Sequence, residues 1–82
     1  MFFIYILYSI TSDRYYVGSC NDLQKRLLQH NAGRNISTKH GIPWIIKYSE
    51  AFSTREEAMK REKEIKKKKS RKYIEWLISS VG

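Results

Sequence analysis

One carboxylate in this sequence lies where solvation does not favour it. On a helical wheel of about 100° per residue, Ala58, Met59 and Ile65 form an apolar stripe roughly 120° wide, and Glu62 falls inside it. Glu56, Glu57 and Glu64 point to the solvent side. A carboxylate on a core-facing stripe costs free energy unless it is paired or binds a metal. Arg26 and Arg61 are candidate partners, and a divalent cation is the alternative. An earlier segment carries a similar oddity. Leu23 and Leu27 define an inward helix face, His30 falls on the same side, and Arg26 sits at its edge, four residues from His30 and so its neighbour. Such a histidine is often only a satisfied core residue, but an arginine and histidine together are harder to explain as packing. Alternation along the N-terminal segments puts Phe3, Tyr5 and Leu7 on one strand face, and Tyr16 with Gly18 on one face of the next. Tyrosines in a small core are commonly packing. A glycine in a strand, though, marks a place where something approaches the backbone closely. Two phenols, a guanidinium, an imidazole and a carboxylate suit phosphodiester chemistry: a metal ligand, a charge stabiliser and proton-transfer groups.

The elements that must position these groups are readable in outline. Phe2 to Tyr8 is aromatic and β-branched and predicts a strand buried on both faces. Thr11-Ser12-Asp13 is turn chemistry, and Tyr15 to Ser19 predicts the second strand of a hairpin. Asn21, with Gln24 three residues on, predicts the cap of a helix from Asp22 to about Ala32, closed by Gly33. Arg34 to Pro43 is expected to be loop, and Trp44 to Phe52 a third strand. Ser53 or Thr54 caps a second helix with Glu56 and Glu57 in its first turn and lysines at its end, as the helix dipole favours. Ser70 restarts a short last helix, whose Tyr73, Ile74, Trp76, Leu77 and Ile78 are expected to pack on the core. The fold class is therefore α+β, a single domain over 1–82 with a small sheet and the order β-β-α-β-α-α.

The 82 residues have room for one small domain, and 41% apolar residues with eleven aromatics exclude disorder, a collagen-like chain and a multidomain enzyme. The lone Cys20 makes no internal disulfide and has no zinc-site spacing around it, which suits a reducing, cytoplasmic setting. The apolar stretch Met1 to Tyr8 is too short to span a bilayer, and it lacks the flanks of a signal peptide. The formal net charge is +8, and residues 60–72 hold nine basic and two acidic side chains, a local balance of +7. Such a run is either a solvated helix face or a surface for polyanions, where clustered lysines release counterions from phosphates. A membrane-surface helix fits less well, because Ile65 is the segment's one apolar residue.

The residues resemble the GIY-YIG nuclease superfamily, in its small stand-alone branch, over roughly residues 2–77. Phe3-Ile4-Tyr5 matches the first motif and Tyr16-Val17-Gly18 the second. Arg26 and His30 follow at the family's helical spacing. Ser37-Thr38-Lys39, Gly41 and Pro43-Trp44 also resemble that branch, and the metal-binding glutamate falls on Glu62. Phe3 in place of the eponymous glycine and Val17 in place of isoleucine are departures that remove no chemical group. The resemblance implies a three-stranded antiparallel sheet flanked by helices, and one divalent cation, Mg²⁺ or Mn²⁺, held by Glu62. It implies that Tyr5 and Tyr16 lie at the active centre, one serving as general base or orienting the attacking water. Arg26 would stabilise charge on the scissile phosphate, and His30 would position water or phosphate or move a proton. Gly18, Lys39 and His40, with Lys66, Lys67 and Lys68 of the basic helix, are the expected substrate contacts. The expected activity is metal-dependent endonucleolytic hydrolysis of DNA, rather than RNA, with little sequence preference. Homing and repair members usually have an appended recognition domain, so a protein partner or DNA structure would supply specificity. Two other readings stand beside it: an inactive nucleic-acid-binding module in which Glu62 is a structural ion-pair partner, and a basic accessory protein of a larger complex. The latter gives Tyr5, Tyr16 and Arg26 no special role.

Overall fold

A computed structural model describes residues 1–80. Strand β1, Phe2–Ser9, is central, with β2, Arg14–Cys20, on one side and β3, Trp44–Phe52, on the other, both antiparallel to it. Helix α1, Leu23–Asn31, follows β2; helices α2, Arg55–Lys68, and α3, Arg71–Ser79, follow β3. The expected three-stranded α+β architecture is the one present. Among the described residues no helix is long and apolar enough to cross a membrane.

As the central strand, β1 feeds both faces. Ile4 and Ile6 turn to one side, where Val17, Ala58, Ile65 and Leu77 close over them as an aliphatic core. Burying each of the isoleucine, valine and leucine side chains stabilises the fold by about 1.5–3 kcal/mol. Tyr5 and Leu7 turn to the other side and meet Trp44, with Tyr16, Leu23 and Leu27 packed around them. A bulge in β3 makes this division possible. Ile6 pairs with Tyr48 but Leu7 pairs with Ile46, so Lys47 is an extra residue and the strand changes phase. Without it Trp44, Ile46 and Tyr48 would share one face. With it Tyr48 joins the aliphatic core while Trp44 and Ile46 join the tyrosine side.

The caps explain the helix boundaries and correct one expectation. Asp22, not Asn21, caps α1: its carboxylate accepts the Lys25 amide at 3.1 Å. Strand β2 continues through Cys20 by pairing with Phe3, which pushes the start of the helix one residue along. Gly33, at φ 76°, supplies the left-handed residue that closes α1. Thr54 caps α2 and Ser70 caps α3, each hydroxyl accepting an amide three residues on. The segment expected as loop contains a 3₁₀ helix, Ile36–Gly41. It has no apolar period of its own and is held from outside: the Trp44 indole donates to the Thr38 carbonyl at 2.7 Å and lies against Gly41, where a Cβ would collide with the ring. Two residues expected in the core are outside it. Met59 is 45% exposed, because Ala58 and Ile65 already fill the contact with the sheet; Trp76 is 59% exposed and stacks on Tyr73 from the outside.

Candidate functional site

Tyr5 sits opposite Gly18 in the β1–β2 ladder, and its phenol lies over that glycine; any Cβ there would overlap the ring. The close approach suggested by a glycine in a strand is thus made by the tyrosine itself. The Tyr5 hydroxyl is hydrogen-bonded to Nε2 of His30 at 3.0 Å, and Nδ1 of His30 to the Thr38 hydroxyl at 2.7 Å. Helix α1 brings His30 here because Leu23 and Leu27 face the sheet and His30 continues the same face one turn later. The Tyr16 ring lies edge-on to His30 at 5.1 Å between centroids and 6.4 Å from Tyr5.

Burial pushes the Tyr5 phenol well above its ordinary range; the neighbouring Tyr16, Cys20 and Glu62 add to the rise, and Arg26 opposes it. Burial also lowers the pKa of His30, helped by the positive charge of Arg26. Both groups are therefore uncharged at neutral pH. Arg26 lines one recess with His30 and Gln29, and another with Cys20 and Asp22. Among the described residues no carboxylate forms a salt bridge with it. A half-buried guanidinium without an ion partner, beside neutral phenols, is a ready anion site.

Glu62 reaches the same region from α2. Its side chain is 21% exposed, and its ion-pair partner is Lys66, one turn on, at 2.6 Å. Arg61 instead forms a bidentate pair with Glu50 and contacts Glu64 and Tyr73, so neither arginine suggested by the sequence pairs with Glu62. The Lys66 ammonium also lies 6.0 Å from the centre of the Tyr16 ring. The polar margin of the aliphatic core and the tyrosine cluster thus meet beside β2. Among the described residues no three His, Cys, Asp or Glu side chains converge. A single carboxylate fits a hard divalent cation that keeps most of its ligands as water and phosphate oxygen.

Of the residues expected from the sequence, Tyr5, Tyr16, Gly18, Arg26, His30, Glu62 and Lys66 come together. His40 is exposed but shares a recess of about 630 Å³ with Tyr16 and Arg14, and Lys39 is exposed beside it. Lys67 and Lys68 line a separate recess with Glu64, and Lys68 lies over the Tyr73 ring at 5.3 Å, apart from this cluster. Thr38, Asn35, Asn31 and Trp44 are not among the expected site residues, yet they brace the cluster. Asn31 donates to the Trp44 carbonyl at 3.0 Å and accepts its amide at 2.6 Å, tying the end of α1 to the start of β3. These contacts carry no periodic signal. The available hint was the resemblance of Ser37-Thr38-Lys39 and Pro43-Trp44 to the family's small branch, which named no role for Thr38 or Trp44.

The GIY-YIG catalytic domain family model matches residues 1–74. Relatives include a UPF0213 protein of Bacillus pumilus, 44% identical over 64 residues, which are 73% of this chain and 65% of the relative. A UPF0213 protein of Bacillus velezensis is 39% identical over 77 residues, covering 89% of this chain and 77% of the relative. The chain thus spans just under two thirds of the first relative's length and more of the second. The solution NMR structure of a UPF0213 protein from Bacillus halodurans superposes with a TM-score of 0.61 at 32% identity, covering 100% of this chain and 87% of that one.

Proposed function

The chain belongs to the GIY-YIG catalytic domain family, and from that premise we propose that it is a divalent-metal-dependent endonuclease that hydrolyses DNA phosphodiester bonds with little sequence preference of its own. The observation that carries this reading is the convergence of Tyr5, Tyr16, His30 and Arg26, which no carboxylate pairs among the described residues, with Glu62, which approaches from a different helix. Arg26 binds the scissile phosphate and stabilises the charge that develops on it. Tyr5 and His30 form the proton-handling pair, and Tyr16 borders the place where water and phosphate meet. Glu62 would hold Mg²⁺ or Mn²⁺ once Lys66 turns from it to a phosphate. That cation supplies Lewis-acid stabilisation of the phosphate and the leaving oxygen.

A groove of about 460 Å³ runs from Tyr16 between β2 and the α2–α3 junction, bordered by Arg14, Lys66, Lys69 and Arg71. Its mixture of cationic and apolar walls suits a strand's phosphates and sugars. His40, with Lys39 beside it in sequence, borders the adjoining recess that Tyr16 and Arg14 share. Lys67 and Lys68 add positive charge farther along α2. DNA is preferred to RNA as the partner, and a protein partner or DNA structure selects the target.

Supercoiled plasmid incubated with Mg²⁺ or Mn²⁺ tests the reading. The expected result is metal-dependent nicking that disappears in Glu62→Ala. DNA binding without cleavage by either protein, across several DNA structures, overturns it in favour of a nucleic-acid-binding module.

A further inference from the structure

A neutral imidazole carries its one proton on either nitrogen, and the neighbour of one nitrogen decides what the other can do. The Thr38 hydroxyl lies 2.7 Å from Nδ1 of His30 and 3.3 Å from the carbonyl oxygen of Asn35. That hydroxyl has one hydrogen, and a carbonyl can only accept. If that hydrogen goes to Asn35 rather than to the ring, Thr38 presents a lone pair to Nδ1, and Nδ1 is the protonated nitrogen. Nε2 is then bare, and the Tyr5 hydroxyl donates to it.

We propose that Thr38 is a positioning residue which, held by the Asn35 carbonyl, sets His30 in its Nδ1–H tautomer and aims a bare Nε2 at Tyr5. His30 and Thr38 are 0% and 1% exposed, so water does not compete for these bonds. The acceptor is fixed too: the Asn35 carbonyl also takes the Thr38 amide at 3.1 Å, while its side chain takes the amide and hydroxyl of Ser37. The Trp44 indole fixes the Thr38 carbonyl from the other side.

The consequence for chemistry rests on the hydrolytic reading above; the tautomer does not. As a water oxygen bonds to phosphorus and the P–O3′ bond breaks, the water's proton moves to the Tyr5 oxygen. The phenolic proton passes to Nε2, and the leaving oxygen takes its proton from solvent. With Nε2 already protonated, Tyr5 would have no acceptor for its proton.

Nitrogen-15 NMR of the imidazole in the full chain, above neutral pH, reads the tautomer without any activity. The expected spectrum has a protonated Nδ1 and an unprotonated Nε2 at His30 in the wild type and in Thr38→Ser, and a mixture of tautomers in Thr38→Val. A proton on Nε2 in the wild type overturns the proposal whether or not any variant folds; so does an unchanged His30 spectrum in a folded Thr38→Val. On plasmid, Thr38→Val is expected to lower kcat about ten- to a hundredfold, in the range of supporting-shell substitutions, with KM little changed and Thr38→Ser restoring it. A wild type that shows the tautomer but never cleaves overturns the hydrolytic reading and leaves the assignment of Thr38 standing.

Discussion

On the α2–α3 side of the sheet, Ile4, Ile6, Val17, Ala58, Ile65 and Leu77 meet as an aliphatic core; on the α1 side, Tyr5 and Leu7 meet Trp44 beside a hydrogen-bonded histidine and threonine. The same strand supplies both, with side chains one residue apart. The aliphatic side is held by contact area, so its stability scales with the volume it buries and tolerates shape changes gradually. The tyrosine side is held by partners. Every buried side-chain polar atom among the described residues is hydrogen-bonded, and removing one member strands another. One face secures the fold, and the other holds a hydrogen-bonded polar cluster.

Four measurements press on that division, beginning with the aliphatic face. Ile4→Ala is expected to cost about 2–5 kcal/mol of unfolding free energy in denaturant melts, a large share of a small domain's stability, while the folded fraction keeps its turnover. Turnover that collapses at constant folded fraction would mean the two faces are not separable. Arg26→Ala is expected to show the reverse: about a 10²- to 10³-fold loss in plasmid nicking, as for removal of a charge stabiliser, with stability changed by less than about 0.5 kcal/mol.

Tyr5→Phe falls between them. Taking away the hydroxyl leaves Nε2 of His30 without a partner in a buried site, and thermal or denaturant unfolding is expected to register a loss of about 1–3 kcal/mol. A neutral result there would show that another partner, such as water, replaces the tyrosine at Nε2.

The smallest effect concerns pH. Burial holds the His30 imidazole below its ordinary 6.5, so the unfolded chain takes up this proton at higher pH than the folded one. The associated stability is complete above about 6.5, falls as the pH drops from there through the folded value, and levels off below it. Melting temperatures stepped downward across that window, above the carboxylate range, are expected to decline in the wild type and less in His30→Gln. Identical slopes would place the titrating group elsewhere.

Much of this molecule was legible before folding because its signals are local. Strand β3 runs from Trp44 to Phe52 as its β-rich composition predicts, and Thr54, Ser70 and Gly33 end helices by chemistry that acts over three or four residues. Glu62 stood out for the same reason, since helical geometry places it between Ala58 and Ile65 whatever the helix packs against. The shift of the α1 cap to Asp22 was not local, because it depends on how far β2 pairs with β1.

Residue order is enough to say that β1 is buried on both faces, that Arg26 and His30 share a helix edge, and that a carboxylate accompanies the basic segment. Each of those statements needs only the period of a strand or helix. The bulge at Lys47 is different: it sends Trp44 to the tyrosine face and Tyr48 to the aliphatic one, and it exists because two strands pair out of step. The 3₁₀ helix likewise depends on the Trp44 indole and on Gly41, which leaves space for it. Arg61 goes to Glu50 on β3, a long-range partner, while Glu62 takes Lys66, its neighbour one turn on. Thr38 meets His30 because the 3₁₀ helix is laid against the end of α1. Long-range pairing and competition for partners decide such matters, and neither is written in the spacing of a single chain segment.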